Sequence, residues 1–362
     1  MLTGNKGEWS EIYVFLKLLA DGRLNAADSN LNILPDVYYP IIKILRQESG
    51  ILREYIVDQQ IKIIDGSNGS ELFNLNVSEF VNRSIDLFAK LRNSEGRSFQ
   101  FEDIEEFLSS IDVNSLTAVS TDKSDINIIV HDLSTGLKPK LGFSIKSMLG
   151  GSSTLFNPGN TTNFIFEIIG MGELNFMEIN EIVSEPKITN RISKFKSMGF
   201  NLKFVNIQSS TLQLNLQLID GSLPEILAEL LLLRYASFGS PVLSVLLAQL
   251  TEINPLNFDL SMGHPFYEYK VKNFLTDSAL GMTPATTWTG KYDATGGIII
   301  VKSDGELVCY HIYNRNEFQT YLLNNTKLEQ ASTSRYNFGE LYQDNGRFFI
   351  KLNLQIRFKA VK

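Results

Sequence analysis

The chain has 362 residues, 43% hydrophobic and 11% aromatic, which supplies a sizeable core and excludes wholesale disorder. Thirty-three basic side chains against 40 acidic ones leave a net charge of −7. That excludes a generally basic surface, so any nucleic-acid site has to be a local basic cleft. Cys309 is the single cysteine, which excludes an internal disulfide and a thiolate zinc site and suits a reducing cytoplasm.

The N-terminus lacks the basic-then-apolar order of a signal peptide. The most apolar run, from Ile226 to Leu250, carries Glu229, Arg234 and a Gly239-Ser240-Pro241 break. It reads as two buried helices, so a soluble, cytoplasmic protein without a membrane span is expected. His131, His264 and His311 are too scattered for a multi-histidine metal centre.

In chain order, Trp9, Ile12, Phe15, Leu16 and Leu19 recur at helical spacing, and Val37–Arg46, Ser78–Leu91 and Phe101–Ile111 read as further helices. Gln60–Ile64 is a short strand, followed by the Gly66–Ser70 loop and the next helix. The period then changes. Ile126–Val130 and Leu141–Ile145 read as strands joined by a Gly- and Pro-bearing hairpin connection. Phe164–Ile169 is strand or buried helix, Ile188–Met198 a helix, and Leu202–Ile207 and Leu212–Leu218 alternate as strands. Gly297–Val301 and Leu307–Tyr313 flank an Asp-Gly hairpin signal, and Phe348–Phe358 alternates again. Gly281–Gly297 reads as a turn-rich connection and lacks the spacing of a phosphate-binding loop.

These elements predict an α/β (α+β) protein with a mixed central β-sheet flanked by helices. Residues 1–115 are expected to be mainly helical, 116–220 to hold the strand pair, and 221–362 to add helices and a β-rich extension, all in one integrated unit.

The chemistry concentrates on the strand pair. Asp125 opens one strand, and Ser144 and Lys146, two apart, share a face of the next. Hydrolysis of a phosphodiester needs a hard divalent ion held by carboxylates and a cation near the attacking water or the phosphate. Asp125 and Lys146 can supply both. The layout resembles the metal-dependent nuclease core D…(D/E)xK, with Ser144 where the second acid stands. Glu8 and Glu11, i and i+3 on the first helix, are the candidates for a replacement carboxylate, with Glu11 preferred. Acids in a first turn also simply favour the helix dipole.

Longer blocks carry a closer resemblance. Gly4-Asn-Lys-Gly-Glu-Trp-Ser-Glu11, the run from Gly142 to Asn157, Thr162-Asn163-Phe164, Tyr313-Asn-Arg-Asn-Glu-Phe318, Thr333-Ser-Arg335 and Lys351–Phe358 are similar to the HpaII-type restriction endonucleases. The likeness spans nearly the whole chain. It implies a type II restriction enzyme with a restriction-endonuclease-like PD-(D/E)XK core that uses Mg²⁺ to cleave double-stranded DNA at CCGG. It also implies a cognate DNA methyltransferase acting on the same site, and a homodimer is compatible with a palindromic target.

On this reading Asp125, Glu11 and Ser144 contact the metal and Lys146 positions water or stabilises phosphate charge. DNA contacts are expected from Ser147, Ser152, Ser153, Thr154, Asn157 and Asn163 in the Gly- and Ser-rich stretch after the motif. Further contacts are expected from Arg315, Lys327, Thr333, Ser334 and Arg335, where Arg335 or Arg315 pairs with guanine. Arg191, Lys194 and Lys196 either meet phosphates or cover a helix surface. Two alternatives stand beside this reading: a DNA-binding protein of the same fold without cleavage, suggested by Ser144, and a structure-specific repair or junction nuclease.

Overall fold

The first helix is specified at both ends. In the computed structural model, which describes residues 1–117, 124–171, 174–236 and 239–359, α1 spans Lys6–Asp21. Asn5 accepts the N–H groups of Gly7 and Glu8, and the Glu8 carboxylate returns a bond to the Asn5 N–H, forming a capping box. Gly22, at φ 65°, closes the other end in the left-handed conformation. Trp9, Ile12 to Leu16, Leu18 and Leu19 are all buried, so the helix is enclosed on most sides.

Strands β1 (Arg23–Ala27), β2 (Ile33–Glu48), β3 (Ile51–Val57), β4 (Gln60–Asp65) and β5 (Glu71–Asn76) follow. Helices α2 (Val77–Asn93) and α3 (Glu102–Ser110) come next, and then β6 (Ile126–Val130), β7 (Lys140–Ser147), β8 (Thr154–Phe156) and β9 (Asn163–Ile169). The middle of the chain adds α4 (Phe176–Asn180), α5 (Lys187–Ser197), β10 (Asn201–Ile207) and α6 (Ser210–Ile219). Helices α7 (Leu223–Ala236), α8 (Leu243–Ile253) and α9 (Phe266–Leu280) form the apolar run and its neighbour. The last part holds β11 (Gly297–Val301), β12 (Leu307–His311), α10 (Arg315–Asn325), β13 (Thr326–Leu328), α11 (Thr333–Tyr336), β14 (Leu341–Asp344), β15 (Arg347–Asn353) and β16 (Ile356–Phe358).

Nine strands make the main sheet, in the order β1-β12-β11-β7-β6-β2-β3-β4-β5. The β1–β12 and β11–β7 pairs are parallel and the rest antiparallel. The first half of β2 also pairs with β1, closing β1, β12, β11, β7, β6 and β2 into a ring of paired strands. β11 is buried on both faces: Ile298 and Ile300 enter one core, Ile299 and Val301 the other. The sheet therefore separates a core under α1–α3 from a larger one under α7–α10. A four-stranded antiparallel sheet (β10-β9-β15-β14) and a three-stranded one (β13-β16-β8) complete the α+β architecture.

Three expectations fail here. Val37–Arg46 is the body of β2 and not a helix, and the first 115 residues give five strands, so they are not mainly helical. Pro40 and the run of β-branched and aromatic neighbours favour a strand; the register shift between Ile41 and Lys43 moves the buried positions from Tyr39 and Ile41 to Ile44 and Arg46, which mimics helical spacing. Pro40 sits where β2 leaves β1 and joins β6, and its carbonyl accepts the His131 N–H at 2.8 Å. The Gly66–Ser70 loop leads into β5 and not directly into a helix.

Leu212–Leu218 is likewise helical, within α6, capped by Ser209. Leu212 and Leu216, one turn apart, are buried, while the alternating Leu214 and Leu218 stay 64% and 59% exposed. The Phe348–Phe358 alternation breaks into β15 and β16. Phe164–Ile169 is resolved as strand β9.

Candidate active site

The β6–β7 register builds the site. Ile126 stands opposite Phe143, and the Asp125 N–H continues the ladder to the Phe143 carbonyl at 2.8 Å. Asp125 Oδ2 therefore lies beside the next turn of β7, where it accepts the Ile145 N–H at 2.6 Å and the Ser144 hydroxyl at 3.1 Å. Lys146 Nζ donates to Ser144 Oγ at 2.8 Å. The serine, 4% exposed, thus links the lysine to the aspartate: it accepts from one and donates to the other.

Glu11 reaches the same corner from α1. Burial raises its pKa to about 8, the Asp125 carboxylate adds to the rise, and the cations of Arg46 and Lys146 only partly oppose it. Glu8 is engaged in the capping box of α1. The two candidates therefore separate: Glu11 faces Asp125 electrostatically, and Glu8 fixes the helix start. α1 is held to β7 by a Ser10–Ser147 hydroxyl pair at 2.8 Å, and Lys6 Nζ donates to the Leu149 carbonyl at 3.3 Å.

These residues open onto a cleft of about 440 Å³ lined by Asn5, Lys6, Gly7 and Glu11 of one wall and Ile145, Lys146, Ser147, Gly150, Gly151, Ser153 and Thr154 of another. Gly96 and Arg97 form the remaining side. Three cations and one acid line it, a local reversal of the chain's net charge of −7. The loop after β7 is braced by Arg357, whose guanidinium donates to the Ser152 carbonyl, and by Ser153, whose hydroxyl donates to the Ser147 carbonyl at 3.1 Å.

Glu11, Asp125, Ser144, Lys146, Ser147, Ser152, Ser153 and Thr154 thus cluster on or beside the cleft. Asn157 is exposed just beyond. Asn163 is not available: it is fully buried, donates to Gln208 and to the Tyr336 carbonyl, and accepts from Asn353 at 2.7 Å. Its amide joins loops inside the protein.

Arg191 is also buried, with its guanidinium on the carbonyls of Asn180, Ile182 and Gly339, so neither phosphate contact nor surface cover describes it. Lys194 and Lys196 remain exposed on α5.

The second reading loop lies elsewhere. Thr333 and Ser334 border a separate depression of about 360 Å³ with Lys187 and Lys351, and Arg335 is exposed beside it. Lys327 pairs with Glu329 at 2.6 Å. Arg315, exposed, holds Asn273 at 2.9 Å. It follows β12, whose last residue, His311, is registered through Gly297 with Phe143, away from Ser147. Sequence reasoning missed Gly96 and Arg97 in the cleft lining, and Arg46, whose charge acts on Glu11. They carry no motif, and only the turn composition around Gly96 marks that segment.

Chemically, the corner offers two carboxylates, a hydroxyl and an ammonium, all hard donors or charges suited to a divalent cation and a phosphate. Among the described residues no group of three or more His, Cys, Asp or Glu could hold a metal ion. No helix among the described residues is long and apolar enough to cross a membrane.

The sequence profile of the HpaII restriction endonuclease family matches residues 5–358. The type II restriction enzyme HpaII of Haemophilus parainfluenzae is 46% identical over 357 residues, covering 98% of each chain. No solved structure matches.

Proposed function

The chain belongs to the HpaII restriction endonuclease family, and we propose on that footing that Asp125, Ser144, Lys146 and Glu11 are the centre with which it cuts DNA. The protein is a type II restriction endonuclease, a hydrolase that cleaves double-stranded DNA at specific sequences. The proposal extends to Mg²⁺ as cofactor, CCGG as target, a PD-(D/E)XK core formed by β6, β7 and β11, and action in the cytoplasm. Two copies acting on a palindrome would cut both strands. A DNA methyltransferase would modify the same site without needing to bind this protein.

The observation that carries the catalytic part is the bonded series Lys146–Ser144–Asp125 facing Glu11 at the cleft. The residues fit Mg²⁺, which takes one or two carboxylates and completes its shell with waters and phosphate oxygens. Asp125 and Glu11 are two close carboxylates, and their repulsion helps keep Glu11 protonated near neutral pH. When bound, the ion would activate water and neutralise charge on the phosphate.

The chain's own residues do the rest. Asp125, fixed through Oδ2 by the Ile145 N–H, would hold the metal. Ser144 sets the spacing between Asp125 and Lys146. Lys146 holds the attacking water or the phosphate oxygen, and Glu11 supplies the second carboxylate from a different element. Ser147, Ser152, Ser153, Thr154 and Asn157 contact the backbone or base edges near the cut, while Lys327, Thr333, Ser334, Arg335 and Arg315 serve the reading of more distant bases.

Digestion of mapped DNA in Mg²⁺, with sequencing of the fragment ends, tests this reading. Ends within CCGG support it. Retarded but intact DNA would favour a binder without cleavage, and cuts confined to junctions a structure-specific nuclease.

A further inference from the structure

The loop between α2 and α3 is the side of the cleft that the nuclease motif does not account for. It places Gly96 and Arg97 in the same lining as Lys146 and Ser153. Arg97 is exposed, and among the described residues it makes no ion pair or hydrogen bond. Gly96 has φ 124°, in the region that disfavours side chains, so the turn that presents Arg97 depends on glycine there.

The base of this loop is rigidly joined to the helix that carries Glu11. Gly4 and Phe99 exchange both backbone bonds, at 3.1 and 2.8 Å. Trp9 Nε1 donates to the Phe99 carbonyl at 3.2 Å, and Phe101 packs edge-on against Trp9 at 4.8 Å. Gly4 has no room for a side chain, since a Cβ would approach Leu116 Cδ1 to 2.4 Å. Loop and α1 start therefore move as one body. A guanidinium without an ion pair is thus presented in the same cleft as Glu11 and Lys146.

We propose that Arg97 is a DNA-phosphate contact that clamps the backbone in the cleft it shares with Lys146. The inference rests on the reading of this cleft as the DNA site. A guanidinium can hold a phosphate through paired N–H bonds, and an exposed one without an ion pair pays little to do so. Such a contact fixes the register of the duplex over Asp125 and Glu11 without reading sequence.

The test is binding of a CCGG duplex in Ca²⁺, by fluorescence anisotropy at several salt concentrations, with wild type, Arg97→Ala, Arg97→Lys and Lys138→Ala. Lys138 is an exposed cation in the β6–β7 turn, outside the cleft, and serves as a control for net charge. Loss of one phosphate contact makes the slope of log K against log salt shallower by about one and weakens binding roughly tenfold at 0.1 M salt. Arg97→Ala should show both, Arg97→Lys should keep the slope, and Lys138→Ala should match wild type. Cleavage by Arg97→Ala at subsaturating DNA should fall in step with its weaker binding, while Lys138→Ala should cleave as wild type. Binding by Arg97→Ala with wild-type affinity and slope would overturn the inference, as would equal losses in Arg97→Ala and Lys138→Ala. Wild-type protein that shows no salt-dependent binding would overturn the reading of the cleft, and the inference with it.

Discussion

Lys146 Nζ donates to Ser144 Oγ at 2.8 Å, and through that hydroxyl the lysine is tied to Asp125. A carboxylate in place of the serine would put a third carboxyl group beside Asp125 and Glu11. The serine instead gives a neutral bridge that orients its neighbours, and the second carboxylate comes from α1. Removing the bridge should lower the rate without removing the charges. Ser144→Ala is expected to lose roughly ten- to hundredfold in single-turnover cleavage, the usual cost of losing an orienting partner, with binding in Ca²⁺ unchanged. Full activity in Ser144→Ala would mean that the hydroxyl positions nothing.

Glu11 gives a pH signature. Its folded pKa, about 8, lies above the ordinary 4.5, so between these values the metal-free folded protein holds a proton that the unfolded chain has released. The stability due to this group is present below pH 4.5 and lost as pH rises towards 8. Solvent screening at the cleft reduces the effect to about 1–2 kcal/mol. Urea midpoints of wild type should therefore fall from pH 6 to pH 8.5 relative to Glu11→Gln. Parallel curves for the two proteins would contradict the assignment. Loading with Mg²⁺ should release this proton, seen as a buffer-dependent heat in calorimetry.

Glu8 and Glu11 should separate cleanly. Glu8→Ala removes half of the capping box and is expected to cost about 1 kcal/mol of stability while cleavage at low temperature persists. Glu11→Ala should do the reverse, losing cleavage by roughly 10³-fold with little loss of fold. Urea denaturation and single-turnover rates on the same two variants decide it.

Arg191 is predicted to matter for stability alone. Its guanidinium satisfies three buried carbonyls, so Arg191→Ala should cost about 3 kcal/mol or more in urea unfolding. The salt slope of DNA binding should not change. A shallower slope in a folded Arg191→Ala protein would return this residue to the phosphate contacts.

The sequence placed Asp125, Ser144 and Lys146 together more readily than it gave the architecture. Asp125, Ser144 and Lys146 were legible because strand alternation sets their faces within 22 residues of chain, and because the hairpin register needs only local pairing. Glu11 could be suspected but not separated from Glu8, since the capping box depends on an Asn5 conformation that composition does not reveal. Val37–Arg46 misled because the register shift between Ile41 and Lys43 breaks the period-two burial of the strand, and Leu212–Leu218 because every second residue is leucine on a helix that buries only every fourth. Asn163 and Arg191 look like binding residues in sequence; only packing from distant segments shows that both face inward. The ring of strands, which joins residues 23–48 to 297–311, is set by non-local pairing that no single segment encodes.

Cleavage of a CCGG duplex by Asp125→Ala in Mg²⁺, followed beside a gel-shift of the same protein in Ca²⁺, addresses the central claim most directly. Intact DNA in the first assay and wild-type retardation in the second are the predicted result. Fragments produced at the wild-type rate would remove Asp125, and the bonded series built on it, from the cutting centre.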